Sequence, residues 1–447
     1  MTQQIDMTKG NIASGIFRFS IPLMLGNVLQ QFYNIADTLV VGRFIGKQAL
    51  AAVGSAYSLM IFLTSVILGF SMGSGAFLSI QYGRRDEEAL CTGNFMSFVM
   101  IGGAAVFING MVYLFMDPIL CILQIPPEVM PAMRSYLVII YGGILATFLY
   151  NYAASSLRAI GNSVIPLYFL AASAILNVIL DIMFVAGFHW GIVGAAAATV
   201  LSQYVSGIGI TIYTWKRLPI LRFQKPYMRF RKHLMKPIVS LALLTSVQQS
   251  IMNFGILMVQ GRVNSFGTEV MAAFAAAVKV DTFAYSPVQD FGNAFSTFVA
   301  QNYGAKNRER IRKGGKLAVL TVLGFCVIVS GIVVGCSEFF IGIFTADPEI
   351  IRIGVSYLRT EGVFYCLIGF LFLFYGYFRA IEKPTISIVL TIASLGTRVI
   401  LAYTLSALPT VGYYGIWVSI PIGWALADLL GIVFLSYSNV WKRIYRK

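Results

Sequence analysis

Charge is scarce in this chain: only 11% of its 447 residues are Asp, Glu, Lys or Arg, against roughly 25% in an average soluble domain. With 58% apolar residues and a mean hydropathy of +0.78, that scarcity excludes a water-soluble enzyme, and equally a disordered or fibrous chain. Histidine is nearly missing, with His189 and His233 its two copies. No H-E-x-x-H motif and no Ser/His/Asp arrangement exists, so hydrolytic and zinc chemistry have no candidates. The five cysteines (Cys91, Cys121, Cys326, Cys336, Cys366) lie far apart inside apolar stretches without a C-x-x-C, and neither structural disulfides nor a metal centre is expected. The string 42–48 resembles a phosphate loop, but it is one residue short between its glycines and lacks Ser or Thr after Lys47.

Long apolar runs take the place of these motifs. A bilayer-crossing helix needs about 20 mostly apolar residues. Charge-free runs cover 48–83, 89–116, 135–157, 159–180, 190–215, 237–261 and 317–337. Three more tolerate internal charge: 19–42 around Asp37, 270–301 around Lys279, Asp281 and Asp290, and 362–378 extended back past Glu361. The stretch 384–441 holds two, divided at 408–412. The expectation is an all-α polytopic membrane protein with twelve transmembrane helices. The first apolar run is long and has no small-residue cleavage site, so it reads as a span and not as a signal peptide.

The net charge of +15 is topological in such a protein, and no nucleic-acid partner is expected. With the N-terminus inside, 25 Lys/Arg fall on the inner side and six outside (Arg43, Lys47, Arg134, Arg262, Arg352, Arg359), while Lys279 and Arg398 lie within helices. That bias predicts two cytoplasmic termini in a plasma (inner) membrane. The basic stretch 216–236 reads as a solvated connector facing lipid headgroups.

Sliding the chain by 221 residues brings Ala51-Ala52 onto Ala272-Ala273, Tyr82-Gly83 onto Tyr303-Gly304 and Ser135-Tyr136-Leu137 onto Ser356-Tyr357-Leu358. Gly46 meets Gly267, Phe77 meets Phe298, Arg158-Ala159-Ile160 meets Arg379-Ala380-Ile381, and Gly191 and Gly194 meet Gly412 and Gly415. Upstream the shift becomes 218, pairing Gln30-Gln31 with Gln248-Gln249. The chain therefore divides into a six-helix lobe at 1–215, a linker at 216–236 and a second six-helix lobe at 237–447. An even number of helices per copy predicts a pseudo-symmetry axis along the membrane normal, an arrangement typical of transporters.

An ionised side chain inside the membrane costs about 2.5–3.5 kcal/mol on insertion scales, so each is a functional hypothesis. Asp37 lies two-thirds along the first helix; the alternative is a carboxylate hydrated near the outer surface. Asn177 and Asp181 are four apart and share a helix face, either lining a cavity or forming an interhelical clamp. The second half lacks these groups, with Gly255, Arg398 and Ala402 at the positions of Asp37, Asn177 and Asp181. Lys279, Asp281, Asp290 and Arg398 form either a second-lobe polar site or a mutually neutralising set. Glu361 and Asp428 read as residues near helix ends.

Ile21-Pro22, Gln30-Gln31, the string 37–42, the strings 157–162 and 177–181, the run 191–199 and the echo Gln301-Asn302-Tyr303-Gly304-Ala305 together resemble the multidrug and toxic compound extrusion (MATE) family. The resemblance covers nearly the whole chain. It implies two six-helix lobes in a V-shaped bundle, and export of amphipathic, often cationic drug-like compounds in exchange for Na⁺ or H⁺, with no further cofactor. It also implies the branch whose cation site lies in the N-terminal lobe: Asp37, Asn177, Asp181 and Thr199, with Tyr136 and Asn151 as polar neighbours and Pro22 where the first helix bends. A possible Na⁺ at Asp37, Asn177 and Asp181 is the one metal expected. Another branch places acids on the seventh and tenth helices, where this chain has Gly255 and the acid-free stretch 362–378. The protein is read as functional as a monomer. A flippase for lipid-linked oligosaccharides, built on a related double six-helix plan, is the alternative, and it would need more cavity cations than Lys279 and Arg398.

Overall fold

The computed structural model describes residues 4–45, 47–122 and 130–437; Gly46 and the basic tail at 442–447 lie outside them. Helices are the only regular elements among these residues, as the lack of period-two alternation predicts. They are α1 (Ile12–Phe44), α2 (Lys47–Arg84), α3 (Glu87–Leu114), α4 (Met116–Ile122), α5 (Met130–Gly142), α6 (Ile144–Ala159), α7 (Val164–Asp181) and α8 (Gly191–Arg217). After them come α9 (Lys232–Asn264), α10 (Thr268–Gly304), α11 (Arg308–Gly335), α12 (Ser337–Gly342), α13 (Pro348–Gly362), α14 (Tyr365–Ala380), α15 (Pro384–Leu405) and α16 (Tyr414–Tyr437).

Nine of the described helices are long and apolar enough to span a bilayer, and the bent pairs α5/α6 (41°) and α13/α14 (53°) raise the count to eleven. The helix that fails on apolarity is α10, which is 37 residues long and contains Lys279, Asp281 and Asp290. Length gives it the reach of a twelfth crossing. The chain is a polytopic, all-helical membrane protein.

The repeat is written into the turns. Arg85 and Lys306 (φ 60° and 57°), Gly161 and Glu382 (86° and 59°), and Gly191 and Gly412 (59° and 55°) all adopt left-handed backbone at positions 221 apart. Next to the first pair, Asp86 caps α3 by accepting from the Ala89 N–H, and Asn307 caps α11 by accepting from the Arg310 N–H. Short polar side chains at these positions satisfy a helix-terminal donor.

Contacts divide the chain into two compact units, Met1–Ser246 with Gly304–Lys306, and Val247–Tyr303 with Asn307–Lys447. In the first, the N-terminal segment is strapped down: Gln4 donates to the Tyr82 hydroxyl at 3.1 Å, the Ile5 N–H donates to the Gly161 carbonyl at 3.0 Å, and Asp6 pairs with Arg85. The stretch 216–236 is also packed in this unit. Leu221 is buried, Asn94 donates to its carbonyl at 2.9 Å, and Phe223 lies edge-on to Phe95 and Trp215. Its Lys and Arg side chains point outward, apart from half-buried Arg231, which pairs with Glu88. In the second unit Trp417 is fully buried, stacked on Phe274 (5.6 Å) and edge-on to Tyr357 (4.9 Å).

Candidate functional site

Helix α7 is apolar on most faces because it borders lipid; its buried positions are Pro166, Ser173, Asn177 and Asp181. Polar residues on the buried stripe of such a helix point into protein. There Asn177 and Asp181 meet α8. With its amide oriented to suit its neighbours, Asn177 donates to Asp181 Oδ2 at 2.8 Å and accepts from the Thr199 N–H at 3.2 Å. Asp37 of α1 completes the group, close enough for its carboxyl and that of Asp181 to share a hydrogen bond. Tyr136 of α5, 5% exposed, lies within electrostatic range of both acids and of Tyr33.

Two oxygens in this group, Asp37 Oδ1 and Asp181 Oδ1, are buried and have no hydrogen-bond partner. No group of three or more His, Cys, Asp or Glu side chains suited to a metal occurs among the described residues. A Na⁺ would therefore rest on two carboxylates, the Asn177 amide and the Thr199 hydroxyl, a hard-oxygen set suited to an alkali cation or to a proton. A π-helical segment, Ile182–Gly187, follows Asp181 directly, an irregularity that often marks functional sites. It carries Phe184 onto Trp190, stacked at 4.8 Å.

The remaining predicted residues are placed separately. The Asn151 amide donates to the Thr147 carbonyl of its own helix at 2.8 Å. Pro22 sits inside α1, fifteen residues before Asp37. In the second unit, Asp281 and Arg398 come together but Lys279 and Asp290 do not join them. Two and nine residues from Asp281 on α10, they point to other faces of the helix; the Lys279 ammonium lies over the Phe344 ring at 5.7 Å. The partners of Asp281 are Tyr365, whose hydroxyl donates to it, then Glu361 and Tyr357, with Arg398 in electrostatic range. Asp281 and Glu361 are 2% and 3% exposed, so Glu361, next to last in α13, lies at a helix end as expected but is buried there.

Sequence reasoning missed Tyr33, Glu361, Tyr357 and Tyr365. Two had a signal: Tyr33 is four residues before Asp37 and so shares its helix face, and Tyr357 falls on Tyr136 in the 221 shift.

A duplicated all-helical membrane fold with a buried carboxylate pair in its first half belongs to the class of membrane transporters. The MatE family profile matches this chain twice, over residues 22–183 and 242–404, one match per half. The chain belongs to the MatE family. It is 28% identical over 440 residues to the probable multidrug resistance protein YpnP of Bacillus subtilis, covering 98% of this chain and 97% of that protein. It is 24% identical to the multidrug export protein MepA of Staphylococcus saprophyticus, covering 83% and 82%. A crystal structure of MATE in the bent conformation superposes with a TM-score of 0.93 at 24% identity, covering 99% of both chains.

Proposed function

We propose that the protein is a secondary active multidrug efflux antiporter, exporting amphipathic, often cationic compounds in exchange for Na⁺ or H⁺ by alternating access. Family membership and the relatives named for multidrug resistance and export support the substrate class. The observation that carries the coupling site is the pair of buried, partnerless oxygens on Asp37 and Asp181. Two carboxylates side by side repel each other and attract one cation or share one proton. Asn177 and Thr199 supply neutral oxygens, and Tyr136 borders the acids. The lobes 1–215 and 237–447 would move about the 216–236 connector, with Pro22 supplying the bend in α1.

The inner-side excess of Lys and Arg supports cytoplasmic termini and a plasma-membrane location. An inward cation then gains about 2.3 kcal/mol per 100 mV. Coupling needs only that cation and drug prefer different conformers. A monomer suffices, because each chain contains both halves. The test is drug transport in proteoliposomes with Na⁺ and pH gradients imposed separately. Transport driven by either gradient supports the reading; drug movement indifferent to both overturns it.

A further inference from the structure

Asp428 is a second kind of intramembrane acid. It lies on α16, fourteen residues after Tyr414, in a helix whose other core residues are Ile416, Trp417, Ile420, Pro421, Trp424, Ala427 and small side chains. It is 6% exposed, and both of its carboxyl oxygens are buried without a hydrogen-bond partner. The N-terminal acids have Asn177 and each other; Asp428 has neither kind of partner. At the matching position of the first half stands Gly207, so Asp428 is not a relic of the duplicated site.

Helices α13, α14 and α15 pack on α16, and α10 meets it through Phe274 on Trp417, with Asp281 of α10 held in the Arg398 group and Lys279 over the Phe344 ring. From α14, Tyr375 is in electrostatic range of Asp428, and its own hydroxyl is engaged with Thr391. One turn further along the same face is Arg379, 5% exposed, which donates to Asn293 Oδ1 at 3.0 Å and to Ser296 Oγ at 3.4 Å. From α15, Arg398 packs at Gly423, five residues before Asp428, and is engaged with Asp281 and Glu361. From α13, Tyr357 and Glu361 belong to that same group. Among the described residues no cation pairs with Asp428. A bare carboxylate without donor or counter-charge is strongly disfavoured in apolar surroundings, whereas the neutral acid is tolerated. An acid kept in a span at that disadvantage is a functional candidate by default.

We propose that Asp428 is a proton-binding site of the C-terminal half, separate from the Asp37/Asp181 group. It holds a proton in the conformation described here and exchanges it with water during the transport cycle. Arg379, on the adjacent helix, is the buried cation an ionised Asp428 would meet. The role in the cycle rests on the antiporter reading; the protonated state does not.

Two measurements on lipid-reconstituted protein test this, using wild type, Asp428→Asn and Asp428→Glu. In infrared spectra at neutral pH, the wild type should show the C=O stretch of an unbonded carboxylic acid. Asp428→Asn should lose that band and Asp428→Glu should retain it at a shifted frequency. No band in the wild type, or an unchanged band in Asp428→Asn, overturns the proposal even if the protein transports nothing. In proteoliposomes with an internal pH dye, Asp428→Asn should still move drug but exchange one proton fewer per molecule, and Asp428→Glu should restore the count. A lost band with an unchanged proton count makes Asp428 a permanently neutral packing residue and overturns its place in the cycle. If Asp428→Asn does not insert, the Asp428→Glu band shift and proton count decide alone.

Discussion

Asn177 and Arg398 stand at matching positions of the two halves, as do Tyr136 and Tyr357, yet the polar groups built around them differ in charge. In the first half two carboxyls meet each other and the Asn177 amide, which the Thr199 N–H holds, and among the described residues no cation joins them. In the second, Asp281 and Glu361 meet Arg398 and two tyrosines. A carboxylate pair lacking a resident cation leaves room for an exchangeable one, whereas a pair with a built-in guanidinium is largely neutralised already. Duplication supplied the position twice, and substitution at single residues made one copy a candidate ion site and the other a buried polar clamp.

The strongest way to break this comparison is to remove charge from the first half. Asp37→Asn and Asp181→Asn should each abolish gradient-driven efflux while leaving insertion and drug binding intact, because the amide preserves size. Efflux per inserted molecule is the measure, and wild-type rates in the double variant would refute the N-terminal site. Pro22→Ala is expected to act next most strongly. A helix-interior proline leaves one carbonyl without its usual donor and permits bending; the 218 shift puts Ser240 at its place in the second half. The variant should fold yet transport several-fold more slowly, and normal drug resistance at equal protein level would leave the proline without a role.

The second half should respond through stability instead of coupling. Arg398→Met removes the guanidinium in electrostatic range of Asp281 and Glu361, and losing such an interaction at an effective dielectric of roughly 20 costs about 2 kcal/mol. Thermal unfolding in detergent should show the loss, and adding Glu361→Gln should recover part of it. Wild-type stability with uncoupled transport would instead make this cluster a working site.

Legibility in the sequence followed the physics of each feature. Spans were visible because apolar length is a one-dimensional property, and the repeat because identical turns demand similar residues at constant spacing. Asn177 and Asp181 were legible as a pair through their four-residue spacing. Joining Asp37 to them, 140 positions before Asn177, needed either the family resemblance or the fold. The burial of Glu361 was hidden because it lies at the α13/α14 bend. A charge at the end of an apolar run looks hydrated until the bent pair proves continuous. Asp428 escaped because α16 has no second polar residue at helical spacing to mark that face as buried.

Turn chemistry offers a smaller test of the same comparison. Gly161 and Glu382 share left-handed backbone, but a Cβ at Gly161 would sit 1.9 Å from the Ile5 carbonyl oxygen. The N-terminal strap therefore demands glycine where the second half accepts glutamate. Gly161→Ala should cost about 1–2 kcal/mol from the backbone alone and loosen the strap. Glu382→Gly should cost less than Gly161→Ala, since glycine adopts this conformation freely. Equal effects from the two changes, read as unfolding midpoints, would remove the strap from the explanation.

The smallest expected effect belongs to Asp6, which holds that strap to Arg85. Residues 4–9 precede the duplicated segment, so the second half has no counterpart, although Lys306 stands where Arg85 does. Partial burial by itself would raise the Asp6 carboxyl, but hydrogen bonds from the Thr8 side chain and Arg85 outweigh it and hold the group below the ordinary carboxylate value of 3.8. A depressed acid contributes stability that is fully present above its unfolded value and disappears as pH falls through its folded one. The Asp6 side chain is 27% exposed and that of Arg85 52%, so solvent screening limits the contribution to about 0.5 kcal/mol. Wild type should therefore unfold at a slightly higher temperature than Asp6→Asn at neutral pH, and the gap should close on acidification below 3.8. Lys306→Gln is the control and should show no such convergence. A gap between wild type and Asp6→Asn that widens on acidification would reverse the sign and refute the ion-paired strap.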